Sequence, residues 1–316
     1  MTRRLPAAVE ARLSGRYDVR LNADDKPLDS AQLRAAMTDY DALIATVSDC
    51  LDRRVLDVPD RRVQLIANVG VGVSNIDIDY ARREGIALSN TPDVLTDATA
   101  DIALLLILAS TRRAFAAEQK LRRGDWRGFS LVDGLGISVR GKMLGVVGMG
   151  RIGRATARRA HFALGMQVTF YNRSPIADPL LEFGFAAHQV DSIDSLMATA
   201  DVVSIHLPGG ITEPLIGARQ IAQMKSSAHL INTGRGDSID QQALIAALLD
   251  GRIAGAGLDV FADEPDVPEV LMQLDNVTLL PHIGSATEEA RTAMGMLAAD
   301  NLDGFFGGIG LINAVL

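Results

Sequence analysis

A chain of 316 residues, 48% of them hydrophobic, can bury a core large enough for about two domains. Its net charge of −8 gives no support to a nucleic-acid or anionic-membrane partner, because neither would be met by a basic surface. The single cysteine, Cys50, cannot close an internal disulfide and points to a reducing, cytoplasmic setting. No apolar stretch follows Arg3 and Arg4, so no signal peptide is expected. The greasiest run, 102–109, is far shorter than the ~20 residues that span a bilayer and reads as a buried helix.

Short apolar runs predict strands at 42–47, 65–69, 86–88, 144–147, 168–171, 202–205, 229–231, 256–258 and 277–280. Helical patterns lie between most of them, for example at 153–163, 239–249 and 287–302. Such alternation implies an α/β chain with parallel sheets covered on both faces. Asn90-Thr91-Pro92-Asp93 is a turn signal. A long helical pattern then starts near Thr96 or Asp97 and continues to about Arg123, where Gly124-Asp125 stops it. One unit therefore precedes about residue 95, a second covers 96–285, and the final helix could pack on either.

The order strand, glycine loop, helix is met at Gly148-Met149-Gly150-Arg151-Ile152-Gly153. Gly148 permits the tight turn, Gly150 lets the backbone approach a pyrophosphate, and Gly153 lets the helix pack on the strand. N–H groups at the helix start, from Arg151 and Ile152 onward, are expected to bind the anion. About 20 residues on, an NAD site normally carries an acid for the ribose. Here the strand ends in Asn172-Arg173-Ser174 with no carboxylate, and Arg173 and Ser174 suit a 2′-phosphate. NADP(H) is the expected cofactor. If Arg173 is only a solvated surface residue, NAD(H) serves instead.

Four polar residues follow carboxyl ends of predicted strands: Arg235, Asp259, Glu264 and His282. That edge is where open α/β sheets bind ligands. A guanidinium can grip the carboxylate and carbonyl of a 2-keto acid. A histidine can protonate the alkoxide that hydride attack creates, and a nearby carboxylate would orient its ring and favour the imidazolium. The five histidines show no short ligand spacing and there is no CxxC, so no metal site is expected.

These stretches together resemble the D-isomer-specific 2-hydroxyacid dehydrogenases over nearly the whole chain. The matching segments are Asn68-Val69-Gly70-Val71-Gly72 with Asn75-Ile76-Asp77, the glycine loop, Asn232-Thr233-Gly234-Arg235-Gly236, Ala256 to Phe261 with Asp263-Glu264-Pro265, and Pro281-His282-Ile283-Gly284-Ser285. The resemblance implies a Rossmann cofactor domain, 96–285, inserted in a flavodoxin-like substrate domain, 1–95 plus 286–316. It implies Arg235 as the substrate grip, His282 as acid/base and Glu264 as its partner. It further implies carboxylate binding by the N–H groups of Val71 and Gly72, and contact between Asp259 and the nicotinamide carboxamide. Thr233, Gly234 and Gly284 would lie along the cofactor, and His206, Leu207 and Pro208 on its adenosine side. Homodimers built through the cofactor domain are usual in the family.

Within the family, Asn90 to Thr96 and the Asn172-Arg173-Ser174 tip look like the glyoxylate/hydroxypyruvate reductase branch. The alternatives are a hydroxyphenylpyruvate or 2-ketoaldonate reductase and an NAD-dependent D-lactate or phosphoglycerate dehydrogenase. A non-catalytic NAD(P)-sensing corepressor-like protein is the alternative of a different class. Two departures stand out. Family members usually begin with a strand before a segment like Thr2 to Pro6, so either the start is truncated or the first sheet lacks that strand. Gly234 stands where Ala is common, with no loss expected.

Overall fold

Each of the nine apolar runs becomes a strand, because a run of branched and apolar residues bounded by turn formers can be buried on both faces of a parallel sheet. The computed structural model describes residues 1–176, 183–210 and 212–315. It divides into two units, Met1–Leu95 with Ser285–Leu316, and Thr96–Gly284. Ser285 thus groups with the first unit.

In the first unit, β1 (Ala42–Thr46), β2 (Leu65–Val69) and β3 (Ala87–Ser89) pair in parallel in that order. Every residue of β2 is buried, as its central position demands. Helices Ser30–Asp39, Arg53–Leu56 and Ile78–Arg83 bring Leu33, Met37, Leu56 and Tyr80 onto Leu43, Ile66 and Leu88. Helix Glu288–Phe306 packs on β2 and on helix Ala7–Ser14. Arg12 ties these two helices together through Asp300 at 2.5 Å and Asp303 at 2.7 Å. Of the expected flavodoxin-like sheet, three strands form, without a reversal of strand order. Residues 17–21 stay outside it, and beside β1 the Thr2 N–H donates to Ile44 O at 3.0 Å.

Among its described residues the second unit holds seven parallel strands: β4 (Met143–Val147), β5 (Gln167–Tyr171), β6 (Ala187–Gln189), β7 (Val202–Ile205), β8 (His229–Asn232), β9 (Gly255–Leu258) and β10 (Val277–Leu279). Their order is β6-β5-β4-β7-β8-β9-β10. From β4 the sheet grows outward to β6, and the chain then returns to start the other half at β7. The reversal between β4 and β7 opens a crevice at their carboxyl ends, the usual place for a dinucleotide. β6 carries no sequence signal: it has three residues, two of them polar, on an exposed edge.

The helical pattern over 96–123 forms two helices, Thr96–Thr111 and Ala114–Arg122, with Arg113 between them at φ 52°. The cause is remote. Ile137 N–H takes the Thr111 carbonyl at 2.9 Å. Gly136 also passes so close that a Cβ there would sit 2.4 Å from that oxygen. The run at 102–109 is buried on one face only. Ala103, Leu106 and Ile107 are fully covered, whereas Leu105 and Leu108 are exposed. No described helix is long and apolar enough to cross a membrane.

Candidate active site

The glycine loop joins β4 to helix Arg151–Leu164. Gly148 has φ +93°, which strongly favours glycine, and a Cβ there would lie 2.7 Å from His206 O. A Cβ on Gly153 would lie 2.2 Å from Gly148 O, so helix and loop close on each other only without one. At Gly150, the N-cap, an added Cβ would meet no atom within 4 Å. Protein packing therefore does not explain that glycine, whereas a ligand brought against the backbone does. The helix has no side-chain cap, and the N–H groups of Ile152 and Gly153 in its first turn are placed to meet an anion. These features fit a dinucleotide pyrophosphate.

At the tip of β5, Asn172 Oδ1 accepts the Met149 N–H at 3.3 Å and Asn172 Nδ2 donates to Ser174 O at 2.9 Å. Gln189, at the end of β6, braces the same turn by donating to Asn172 O at 3.1 Å. Arg173 and Ser174 are exposed, and no carboxylate stands among residues 172–174. Across the crevice, His206 follows β7. Its Nε2 pairs with Ser204 Oγ at 2.9 Å and its Nδ1 lies 3.4 Å from Thr233 Oγ1. Burial pushes His206 down to about 4, so it is neutral at physiological pH. Leu207 and Pro208 follow it, and the backbone of Leu207 is 3.0 Å from where a Gly234 Cβ would be. An alanine at 234 needs that neighbour to yield by a few tenths of an ångström.

After β8, Asn232 shapes the loop from both sides. Its Oδ1 accepts the Gly234 N–H at 2.9 Å and its Nδ2 donates to Arg235 O at 2.9 Å. Gly236 is compelled by space, since a Cβ would overlap Phe261 O at 1.9 Å. Arg235 is half-buried. Among the described residues its guanidinium makes one hydrogen bond, to Gly234 O at 2.8 Å, and no ion pair. Burial lowers its pKa against the pull of Glu264 and Asp237. A partly desolvated guanidinium without a carboxylate partner is costly to keep and is complementary to an anionic ligand.

Glu264 pairs with His282 and feels the charge of that guanidinium. Its Oε2 meets His282 Nδ1 at 2.6 Å and its Oε1 accepts the Phe261 N–H at 3.0 Å. Burial alone would raise Glu264, but the hydrogen bond and charge of His282, the Phe261 N–H and the charge of Arg235 hold it below its ordinary value. His282 itself sits at φ +53°, a conformation an ordinary residue adopts only when its surroundings impose it. Asp259 does so. It is 1% exposed, its carbonyl accepts the His282 N–H at 2.9 Å, and its carboxylate accepts Ile283 N–H at 2.7 Å and Gly284 N–H at 2.8 Å. Burial raises the Asp259 carboxyl above its ordinary value. Asp259 thus braces the loop that carries His282, a task its sequence position does not announce. Asn232 is the other supporting residue the sequence reading lacks, although an Asn two residues before a Gly at a strand end is a turn signal. In the first unit, Val71 and Gly72 lie half-buried just past β2.

Residues 104–284 match the model of the D-isomer specific 2-hydroxyacid dehydrogenase NAD binding domain. The chain is 42% identical over 310 residues to a glyoxylate reductase of Thermococcus litoralis, covering 96% of this chain and 92% of that one. It is 41% identical over 306 residues to a glyoxylate/hydroxypyruvate reductase B of Yersinia enterocolitica, covering 94% and 90%. Among solved structures, the NADPH-dependent glyoxylate/hydroxypyruvate reductase of Sinorhizobium meliloti, in complex with NADP and malonate, superposes with a TM-score of 0.86. It is 34% identical, with 99% of this chain and 94% of that chain covered. A Rossmann sheet, a glycine loop at its switch point, and an arginine and a Glu–His pair beyond its strands agree with these likenesses, and the chain belongs to the D-isomer specific 2-hydroxyacid dehydrogenase family, a family of oxidoreductases.

Proposed function

We propose that this protein reduces a small 2-keto acid, glyoxylate or hydroxypyruvate foremost, to the D-2-hydroxy acid, with NADPH as its preferred cofactor. The observation that carries the reading is the half-buried Arg235, without an ion pair among the described residues, beside the Glu264–His282 pair at 2.6 Å. The reduced nicotinamide supplies the hydride. Arg235 holds the carboxylate and polarises the carbonyl. Because Nδ1 of His282 is engaged by Glu264, Nε2 is the nitrogen left to donate a proton to the oxygen that gains negative charge. Val71 and Gly72 are assigned to the carboxylate through their N–H groups. Asp259 keeps its assignment beside the carboxamide, with Thr233, Gly234 and Gly284 along the cofactor and His206, Leu207 and Pro208 on its adenosine side. A panel of keto acids followed at 340 nm with both cofactors tests the reading; no turnover of any 2-keto acid refutes it.

NADPH preference rests on the tip of β5. Arg173 supplies a positive charge and Ser174 a donor, while a carboxylate that would repel a 2′-phosphate is missing from 172–174. Arg173→Asp is expected to lower kcat/KM with NADPH by about tenfold or more and to spare NADH. A wild-type preference for NADH, or an unchanged ratio in the variant, overturns this.

A homodimer is the proposed assembly. Phe129, Leu131 and Val132 are 88%, 79% and 81% exposed, and Trp126 and Leu135 are exposed with them. Such a cluster is unusual on a monomer and suits a contact between copies. Phe129→Asp with Leu131→Asp should halve the mass measured by light scattering. A wild type that is monomeric at micromolar concentration speaks against it.

A further inference from the structure

Three carbonyls in a row after β2 are turned toward the body of the first unit. Gly70 O accepts the Thr91 N–H at 3.0 Å. Val71 O accepts Asn90 Nδ2 at 2.9 Å. Gly72 O accepts Asn68 Nδ2 at 3.0 Å, and the same nitrogen lies 3.4 Å from Gly70 O. In a trans peptide the carbonyl and the following N–H point in opposite directions. Each captured carbonyl therefore sends the next N–H the other way, and the N–H groups of Val71, Gly72 and Val73 face away from the residues that hold their carbonyls. Among the described residues, none of these three N–H groups donates to a protein acceptor. A Cβ on Gly70 would fall 2.5 Å from Val47 Cγ1, so that side chain would have to shift to admit one. Successive N–H groups aimed one way form a concave site for an anion.

We propose that Asn68 and Asn90 are positioning residues, whose amide donors hold the N–H groups of Val71, Gly72 and Val73 as a three-donor grip for the substrate carboxylate. This rests on the reading of the protein as a 2-keto-acid reductase. Asn68 is fully buried, and its Oδ1 accepts nothing among the described residues, so its side chain serves the loop as a donor. Asn90 is anchored independently, its N–H donating to Asn313 O at 3.2 Å. An aspartate at 90 would set an acceptor against the Val71 carbonyl, and the peptide that presents the Gly72 N–H would turn away.

The test compares wild type with Asn90→Asp and Asn90→Ala, the half-buried asparagine being the one less apt to disturb folding. Asn90→Asp is expected to raise both KM for glyoxylate and the inhibition constant of oxalate by about tenfold or more, and Asn90→Ala to raise them less. The Kd for NADPH and the thermal midpoint should stay near wild type, because cofactor-binding residues belong to the other unit. Unchanged KM and oxalate inhibition in Asn90→Asp overturn the proposal. So does a rise in KM that is matched by the Kd for NADPH, which would mark a general structural role. A wild type that reduces no 2-keto acid sinks the functional reading instead. Oxalate affinity of the NADPH complexes, measured by calorimetry, then still decides whether Asn90 shapes an anion site.

Discussion

His282→Ala is expected to lower kcat for keto-acid reduction by about 10²- to 10⁴-fold, the usual worth of a positioned general acid. The Kd for NADPH should hardly move, because His282 stands away from the glycine loop in sequence and the loop is built without it. The partner carboxylate gives a companion test. Against the upward push of burial, the hydrogen bond and charge of His282 hold Glu264 below its ordinary value, so it is ionised at neutral pH and accepts from His282 Nδ1 at 2.6 Å. Glu264→Gln removes that charge and should lower kcat by about tenfold or more while leaving the Kd for NADPH near wild type. An unchanged kcat in Glu264→Gln counts against the assignment.

Arg235→Ala is expected to raise KM for the keto acid and lower kcat together, with a combined loss in kcat/KM of about 10²- to 10³-fold. Both parameters are expected to suffer because, in the proposed mechanism, the guanidinium grips the ground-state carboxylate and also the oxygen on which charge develops. Lysine should restore little, since it offers a point charge in place of a planar fork. Stability gives an independent reading. Arg235 is partly desolvated and makes no ion pair among the described residues, so removing its charge should leave the thermal midpoint unchanged or higher. An ordinary structural arginine would do the reverse, and a midpoint several degrees lower with unchanged KM would remove Arg235 from the substrate.

Much of this site can be read from residue order, because its parts are local. A strand, GMGRIG and a helix are contiguous, and Arg235 between Gly234 and Gly236 lies one turn beyond β8. The nine apolar runs carry strand signals because each is buried by its own composition. What could not be read depends on partners distant in the chain. The helix break at Arg113 is imposed by Ile137 and Gly136, and β6 exists because β5 offers it an edge. His282 is bent into positive φ by Asp259, 23 residues away by number, and the amides after β2 are aimed by Asn90. Periodicity and motif spacing report what a segment prefers to bury. The direction of a carbonyl or a ring is set by hydrogen bonds across the fold, and these arise only once the sheets have brought strand ends together.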